Sequence, residues 1–442
     1  MPIEKMSADT VFKRLLANKN RVYPSEARGA ERLSPYAQPH FAGDSSLDKD
    51  AAIFASGSCF ARNVEKSLKF IGANVISSPT NIPTPKAVTQ VSQLFNKYTV
   101  HSILNELRWA LGDEKPDFEK LLVEDKKTGL YYDLQVSASA QLSGPLDEML
   151  AFRSGFNASF ARASEADLVI ITLGLVECWY DTENEVYLNT APPKPLTLQY
   201  PGRFEFHLLD YNDVYAALEE IHSLLSSRST PAPKMLFTVS PVGLASTFRS
   251  DDVLVANCYS KSVQRAAVEA FVANHEATYF PSYEYVTLTD RKFAWGNRDF
   301  RHVRQETVDR IMADVLLAYF GPSPEQELLY LRGHATARFD NREYEKVIDM
   351  IEAKQPDFDD NAEIMWLYAR SLRSAGRQQD ALDVFQKVMG MDAGISKAAG
   401  RTAINLARLI KSDDLVPQLI EQHVAKFPTE QEWAETLKSN AK

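Results

Sequence analysis

The amino-acid sequence predicts an α/β domain built on a central parallel sheet, followed by a separate all-α region. Short apolar runs, such as 168–172 and 235–239, alternate with longer segments of helical periodicity. Continuous apolar runs are typical of strands that are covered on both faces, and their alternation with helices favours a parallel sheet. A repeat of small and apolar residues beyond residue 322 predicts the second region.

The strands of the α/β domain are predicted at 51–54, 73–76, 168–172, 235–239 and 278–280. The first strand leads into a helix, because Phe60, Val64, Leu68 and Ile71 recur on one face of a 3.6-residue period. The proline-rich residues 180–210 are predicted to form a long irregular insertion.

Both ends of the chain differ from this domain. Residues 1–50 are polar and punctuated by prolines, so we expect an arm that lies over the domain and has one short helix near 11–16. The sequence Pro322-Ser323-Pro324 marks a boundary, beyond which residues recur 34 apart. The recurring sets are Val347/Ala381/Leu415, Ile351/Phe385/Leu419, Ala335/Ala369/Ala403 and Leu331/Met365/Ala399. This pattern resembles about three tetratricopeptide-like helix pairs. The predicted organisation is an arm at 1–50, an α/β domain at 51–322 and helical repeats at 325–442.

Composition and charge narrow the function classes. The chain has 442 residues, of which 45% are hydrophobic and 24% charged, and its net charge is −10. A nucleic-acid partner is not expected, because binding to phosphates requires a basic face. No apolar run approaches the roughly 20 residues that span a bilayer, and the N-terminus shows no signal peptide. Three distant cysteines, Cys59, Cys178 and Cys258, match no zinc-site spacing and indicate reduced thiols in the cytoplasm.

Residues 54–61, Phe-Ala-Ser-Gly-Ser-Cys-Phe-Ala, carry the strongest functional signal. They form a glycine turn with two candidate nucleophiles, Ser58 and Cys59, between a predicted strand and a predicted helix. Free amide groups and the helix dipole favour an anionic group at the start of a helix. A thiolate or a developing oxyanion would therefore be stabilised at this turn.

A second motif, Asp299-Phe300-Arg301-His302, follows 240 residues after Cys59 and precedes an apolar helix pattern. The spacing lets one turn carry both a carboxylate and an imidazole. His302 can take the proton of a nucleophile, and Asp299 can fix the tautomer of the imidazole. Alternatively, His302 is a surface residue that caps the following helix and Asp299 is a turn residue.

These motifs together resemble the GSCFA family, a branch of the SGNH (GDSL-like) hydrolase superfamily. The matching blocks are, in order, 57–61 (Gly-Ser-Cys-Phe-Ala), 172–174 (Thr-Leu-Gly), 238–242 (Thr-Val-Ser-Pro-Val), 260–261 (Ser-Lys), 279–284 (Tyr-Phe-Pro-Ser-Tyr-Glu), and Asp299 with His302. They cover roughly residues 50–320. The resemblance implies an SGNH-hydrolase-like three-layer domain around a central parallel sheet.

The nucleophile is the first open choice. The superfamily's Gly-Asp-Ser aligns with Gly57-Ser58-Cys59, which puts Cys59 in the position of the nucleophile. The alternative is that Cys59 is a buried small hydrophobe and that Ser58 attacks. We favour Cys59, because a thiol at a helix N-terminus beside a histidine is readily activated.

The oxyanion hole is expected to use the backbone amides of Cys59 and Gly174. The superfamily's Gly-x-Asn-Asp is replaced here by Gly-Leu-Val-Glu at 174–177, so its side-chain amide donor is missing. Asn81 or Asn74, near the predicted second strand, is the expected substitute.

Three further residues, Glu177, Trp179 and Lys261, are candidates for substrate binding. Glu177 and Trp179 would line the pocket, or else they are a salt-bridged loop acid and a packing aromatic. Lys261 would meet an anionic substrate or a cofactor phosphate, or else it is an ordinary solvated residue at the start of a helix.

The resulting functional prediction is acyl-ester chemistry by an O-acyltransferase or an esterase. The resemblance to SGNH enzymes implies a carbohydrate, glycoconjugate or small ester as substrate. Neither a metal nor a bound cofactor is expected, and an acyl-CoA-like donor would serve as cosubstrate. The alternative is a non-catalytic glycan-binding module that the repeats dock to a protein partner in a biosynthetic complex.

Overall fold

The computed structural model describes residues 2–41, 43, 47–77, 82–85, 91–113, 115–136, 142–296, 299–412 and 414–439. The chain divides into two compact units, Met1–Pro322 and Ser323–Lys442. The first unit is mixed α/β and the second is helical, as the sequence predicts.

The strands of the described residues all lie in the first unit. In chain order they are β1 (Ile53–Gly57), β2 (Leu122–Asp125), β3 (Leu130–Asp133), β4 (Ser143–Gly144), β5 (Leu168–Leu173), β6 (Glu177–Asp181), β7 (Val186–Leu188), β8 (Phe204–Leu208), β9 (Lys234–Val239) and β10 (Ala277–Tyr279).

Helices occur in both units. Those of the first unit are α1 (Ala8–Ala17), α2 (Cys59–Phe70), α3 (Val91–Leu94), α4 (Val100–Leu111), α5 (Phe118–Leu121), α6 (Leu146–Ala161), α7 (Lys194–Thr197), α8 (Tyr211–Arg228), α9 (Val253–Val272), α10 (Ser282–Thr287), α11 (Arg291–Ala294) and α12 (Gln305–Phe320). Those of the second unit are α13 (Pro324–Asp340), α14 (Tyr344–Glu352), α15 (Gln355–Phe358), α16 (Ala362–Ser374), α17 (Gln378–Gly390), α18 (Ser396–Leu409), α19 (Val416–Lys426) and α20 (Gln431–Ser439). A search of the described helices found none with the length and apolar character needed to cross a membrane.

The central sheet is parallel, with strand order β1-β5-β9-β10, which confirms the predicted sheet. The predicted strand at 73–76 is wrong. This segment makes one isolated parallel bridge between Val75 and Ile53. The amide of Ile53 donates to the Asn74 carbonyl, and Ile53 accepts from the amide of Ile76. Both hydrogen bonds involve Ile53 alone, so residues 73–76 do not form a strand of the central sheet.

Helices cover both faces of the central sheet. Val169, Ile171 and Leu173 of β5 share one core with apolar residues of α4, α6, α8 and α9. Successive strand residues point to opposite faces, so the remaining β5 residues face the other side. There α2 packs on β1 and β5, and α12 packs on α2. The turn from β1 to α2 is thus held at one edge of this sheet.

The prediction of an irregular insertion at 180–210 is wrong. Much of this region belongs to an antiparallel sheet with strand order β7-β6-β8. Trp179 of β6 lies between Leu188 of β7 and Phe206 of β8, and such aromatic cross-strand pairs stabilise a sheet. A buried ion pair of 2.7 Å between Arg203 and Asp181 closes its end. The prolines of this region lie in the connection between β7 and β8, so they do not interrupt the strands.

The N-terminal arm contains the predicted short helix as α1, although no residue of α1 is buried. Later residues of the arm pack on the α/β core. The amide of Ala37 donates to Thr289 Oγ1 at 2.9 Å, and Tyr36 lies 4.8 Å from Phe293 between ring centroids.

In the second unit, several residues spaced 34 apart are core residues. Ala335, Ala369 and Ala403 are each 0% exposed, and Ile351, Phe385 and Leu419 are buried in the same cluster. The three alanines lie on α13, α16 and α18, and the three large side chains lie on α14, α17 and α19. A repeating core therefore underlies the sequence repeat.

Candidate active site

In open α/β sheets, ligands bind beyond the carboxyl ends of the strands, and several candidate residues lie at that edge here. Gly57 ends β1, Gly174 directly follows β5, and Ser240 directly follows β9. Because these three strands are neighbours, the residues that follow them meet at one edge.

The turn between β1 and α2 requires glycine at its first position. Gly57 has φ +146°, and a Cβ there would lie 1.9 Å from Thr172 Oγ1 of the neighbouring strand. Ser58 is the N-cap residue of α2, and its side chain makes no capping hydrogen bond. The first amides of α2 thus have no side-chain cap, and Cys59 is the first helical residue.

Ser58 and Cys59 have different surroundings. Ser58 is 5% exposed, and its Oγ lies 3.5 Å from Ser240 Oγ. Ser240 is itself fixed, since its amide donates to the Leu173 carbonyl at 2.8 Å. Cys59 is a free, partly exposed cysteine. Its side chain is therefore the more accessible of the two candidate nucleophiles.

Two cavities meet at Cys59, which lines both. The aromatic cavity has a volume of about 290 Å³, and its walls include Tyr98, Leu175, Trp179, Leu188, Leu244 and Phe248. The basic cavity has a volume of about 470 Å³, and its walls include Arg62, Glu65, Lys66, Lys69, Arg301 and His302.

The predicted Asp-x-x-His pair is formed. Asp299 Oδ2 lies 2.6 Å from His302 Nδ1, and Asp299 Oδ1 accepts the amides of His302 at 2.8 Å and Arg301 at 3.1 Å. The amide and imidazole of His302 are the main causes that hold the pKa of Asp299 well below its usual range. The side chain of His302 is 49% exposed, and Nε2 is left to exchange a proton.

His302 and Cys59 line the same basic cavity, whereas Ser58 lines the aromatic cavity. Across the described residues, no hydrogen bond joins His302 to Cys59 or Ser58. Arg301 anchors the loop that carries His302, because its Nε donates to the Gly243 carbonyl at 3.1 Å. Catalytic hydrogen bonds often form only once substrate is bound.

Of the described residues predicted for the oxyanion hole besides Cys59, the structure places only Gly174 beside the site. Gly174 lies beside the site, and a Cβ there would be 2.5 Å from the Tyr98 carbonyl oxygen, so the close approach requires glycine. Asn81 lies outside the described residues. Asn74 is exposed and donates to the Asp50 carbonyl at 3.2 Å, so it is tied to the opposite end of β1.

Sequence reasoning missed Asn96. This residue is 2% exposed, and its Nδ2 lies 3.7 Å from Cys59 Sγ. Its Oδ1 has no hydrogen-bond partner within the described parts of the chain. Its buried amide, beside the candidate nucleophile Cys59, is the type of donor that is absent from 174–177. Its only sequence signal is a polar residue shortly before the Thr99 cap of α4.

Long-range contacts fix the segment that carries Asn96. The amide of Lys97 donates to the Gly57 carbonyl at 2.9 Å, and the Tyr98 carbonyl accepts the amide of Leu175 at 2.8 Å. The Lys97 ammonium is fully buried against Glu106 and donates to the Gln135 carbonyl at 2.6 Å. Burial is the main cause that lowers the pKa of Lys97. The segment is therefore held rigidly between the ends of β1 and β5.

Glu177 and Trp179 both line the aromatic cavity. The Glu177 carboxylate accepts from Thr247 Oγ1 at 2.6 Å and from the amide of Phe248 at 2.9 Å. It thus fixes the loop after β9. The Trp179 ring packs edge-on against Phe248, with 5.2 Å between centroids.

Lys261 lies beneath the site and is absent from the walls of both cavities. It is 2% exposed, and its Nζ donates to the Gly174 carbonyl at 2.7 Å. Gln264 Nε2 donates to the same carbonyl at 3.0 Å. Burial lowers the pKa of Lys261 to about 7. Lys261 is therefore not a solvated residue, and its described contacts fix the Gly174 turn.

Comparison with known proteins gives one match. A family model described as the GSCFA family matches residues 52–314, which is more than half of the chain. No curated protein and no solved structure matches the chain.

Proposed function

The chain belongs to the GSCFA family, and we propose that its α/β unit is an SGNH-like acyltransferase that forms a covalent thioester on Cys59. The observation that carries the proposal is the position of Cys59. It begins α2 beyond β1, and it borders the cavity that His302 also borders. A thiol there has an uncapped helix N-terminus behind it and an Asp-oriented imidazole across the cavity.

The first half-reaction is attack of Cys59 on an acyl ester or thioester. The Sγ–H proton passes to His302 Nε2, and Sγ forms a bond to the acyl carbon. The bond from that carbon to the leaving group breaks, and His302 returns the proton to the leaving oxygen or sulfur. Asp299 holds the imidazole and stabilises its protonated form.

The second half-reaction transfers the acyl group to an alcohol, or to water in the esterase variant. His302 takes the hydroxyl proton, the hydroxyl oxygen bonds to the acyl carbon, and the Sγ–carbon bond breaks. Because one imidazole serves both steps, the leaving group and the acceptor use the same side of Cys59. That side is the basic cavity, which leaves the aromatic cavity for the acyl group.

The oxyanion of both tetrahedral intermediates needs preorganised donors. We assign this role to the amides of Cys59 and Gly174 together with Asn96 Nδ2. The contact of Asn96 with Sγ supports its inclusion, and rigid placement of its segment avoids reorganisation during the reaction.

The substrate class follows from the family resemblance and the character of the basic cavity. Ser92, Gln93 and Asn63 add hydrogen-bonding groups to its walls, which suits a carbohydrate hydroxyl as acceptor. We further propose that the second unit is tetratricopeptide-like and docks a protein partner. A thiol nucleophile needs a reducing compartment, so the proposal places the reaction in the cytoplasm.

Turnover of a small activated aryl ester tests the nucleophile. Cys59→Ala should lower kcat by at least about 10³-fold, because no covalent intermediate can form. The matched variant Ser58→Ala should have a much smaller effect. Full activity of Cys59→Ala, with loss in Ser58→Ala, would favour a serine esterase instead.

The alternative is a glycan-binding module without turnover. The aromatic cavity supports it, because Trp179 and Phe248 offer ring faces and Trp179 Nε1 has no hydrogen-bond partner within the described residues. Titration calorimetry with oligosaccharides separates the two functions. Binding that Trp179→Ala abolishes, in a protein that never becomes acylated, would favour the module.

A further inference from the structure

A row of cations leads away from Cys59 along one face of α2. Arg62, Lys66 and Lys69 all line the basic cavity, and with Cys59 they follow at spacings of three, four and three residues. Residues at these spacings share a helix face. At a rise of 1.5 Å per residue, Lys69 lies roughly 15 Å along the axis from Cys59.

Most of this positive charge is not neutralised locally. Arg62 forms an ion pair of 2.8 Å with Glu65 and donates to the Ala55 carbonyl. Within the described residues, neither the Lys66 nor the Lys69 ammonium forms an ion pair or a hydrogen bond, and the Arg301 guanidinium has no carboxylate partner. The cavity thus carries excess positive charge in a chain whose net charge is −10. Clustered cations in a cleft concentrate anionic ligands.

We propose that the basic cavity binds the phosphates of a coenzyme A thioester, which is the acyl donor. This inference rests on the proposed function and identifies its donor. The chain of bonds from the sulfur to the phosphate of a pantetheine arm is about as long as the backbone of four residues. When extended, it spans roughly 15 Å. A thioester carbon at Cys59 therefore places the phosphates near Lys66 and Lys69.

The chemistry of this donor fits the position of His302. Cys59 Sγ bonds to the acyl carbon, and the bond from that carbon to the coenzyme sulfur breaks. The proton taken from Cys59 passes through His302 to that sulfur, and free coenzyme A leaves through the basic cavity. Atoms and charge balance without any further reactant.

Binding is measured apart from chemistry by titrating coenzyme A into the full-length Cys59→Ala protein. Lys66→Ala/Lys69→Ala in that background should raise Kd at least about tenfold, since each phosphate contact is charge-assisted. Glu at both positions should raise it further, and added salt should weaken binding to the parent protein. The matched control is Lys13→Ala/Lys127→Ala, which removes two exposed lysines elsewhere and should leave Kd unchanged. Circular dichroism checks that each variant is folded.

A kinetic comparison adds a second readout. The acylation rate of Cys59 with acetyl coenzyme A is compared with that of neutral S-acetyl-N-acetylcysteamine. The preference for the phosphorylated donor should fall towards one in Lys66→Ala/Lys69→Ala. Acylation by both donors without preference, or equal Kd for coenzyme A and uncharged pantetheine, overturns the donor inference and leaves the proposed function standing. Lysine-dependent binding without acylation of Cys59 supports the phosphate site and overturns the proposed function.

Discussion

Replacing Lys261 by methionine should remove a specific pH dependence of stability. The Lys261 ammonium is buried beneath the Gly174 turn, and the carbonyl of Gly174 is its hydrogen-bond partner. Burial lowers its pKa in the folded chain from 10.5 to about 7. The unfolded chain therefore binds more protons between these values, and stability rises with pH in that window. The penalty for burying the charge is fully present below pH 7 and vanishes above pH 10.5.

The magnitude follows from the two pKa values of Lys261. Between pH 7.5 and pH 9.5, this single group should raise the free energy of unfolding by roughly 2 to 3 kcal/mol. Other groups add their own pH dependence, which both proteins share. The difference in stability between the parent and Lys261→Met isolates the contribution of this side chain.

Urea unfolding at the two pH values provides the assay, with fluorescence and circular dichroism as probes. The free energy of unfolding of the parent should gain roughly 2 to 3 kcal/mol relative to that of Lys261→Met between pH 7.5 and pH 9.5. Lys127→Met, which replaces an exposed lysine, serves as the control and should follow the parent. An equal change in the free energy of unfolding between the two pH values for the parent and Lys261→Met would refute the burial of a titrating ammonium at this position.

Three further predictions concern the site and its unit. Asp299→Ala and His302→Ala should each lower kcat for a small ester by about 10³-fold or more, and the double variant should be little worse than His302→Ala; additive losses would show that the two residues act separately. Asn96→Ala should lower kcat by roughly 10²- to 10³-fold with little change in KM, and the control Asn74→Ala should not; equal effects would exclude Asn96 from the oxyanion hole. A chain of residues 1–322 should stay folded and retain turnover, as judged by cooperative unfolding and ester hydrolysis; an insoluble or molten product would contradict this independence.

The sequence was informative where function depends on short-range patterns. The β1–α2 turn with Cys59 could be predicted, because an apolar run, a glycine and a helical period are adjacent in the chain. The Asp299–His302 contact could be predicted for a similar reason, since three residues separate its partners. The parallel sheet followed from apolar runs that need no knowledge of their partners.

The remaining features depend on contacts between distant segments. Asn96 reaches Cys59 because its segment bridges the ends of β1 and β5, and no local pattern encodes that bridge. Lys261 occupies an ordinary position in a helical pattern, and its hydrogen-bond partner, the Gly174 carbonyl, lies 87 residues away in the chain. The β7-β6-β8 sheet was missed because the prolines between β7 and β8 are a strong local loop signal, whereas the stability of the sheet comes from cross-strand packing.

The mass of the protein after brief exposure to an acyl donor reports directly whether a thioester forms on Cys59. Acetyl coenzyme A and an aryl acetate are each mixed with the parent, Cys59→Ala and His302→Ala, quenched in acid and mapped by peptide mass spectrometry. We expect one acetyl group on the peptide that contains Cys59. It should be labile to hydroxylamine, absent in Cys59→Ala and formed slowly in His302→Ala. An acetyl group on Ser58, or turnover without any adduct on Cys59 at any quench time, would contradict the thioester mechanism.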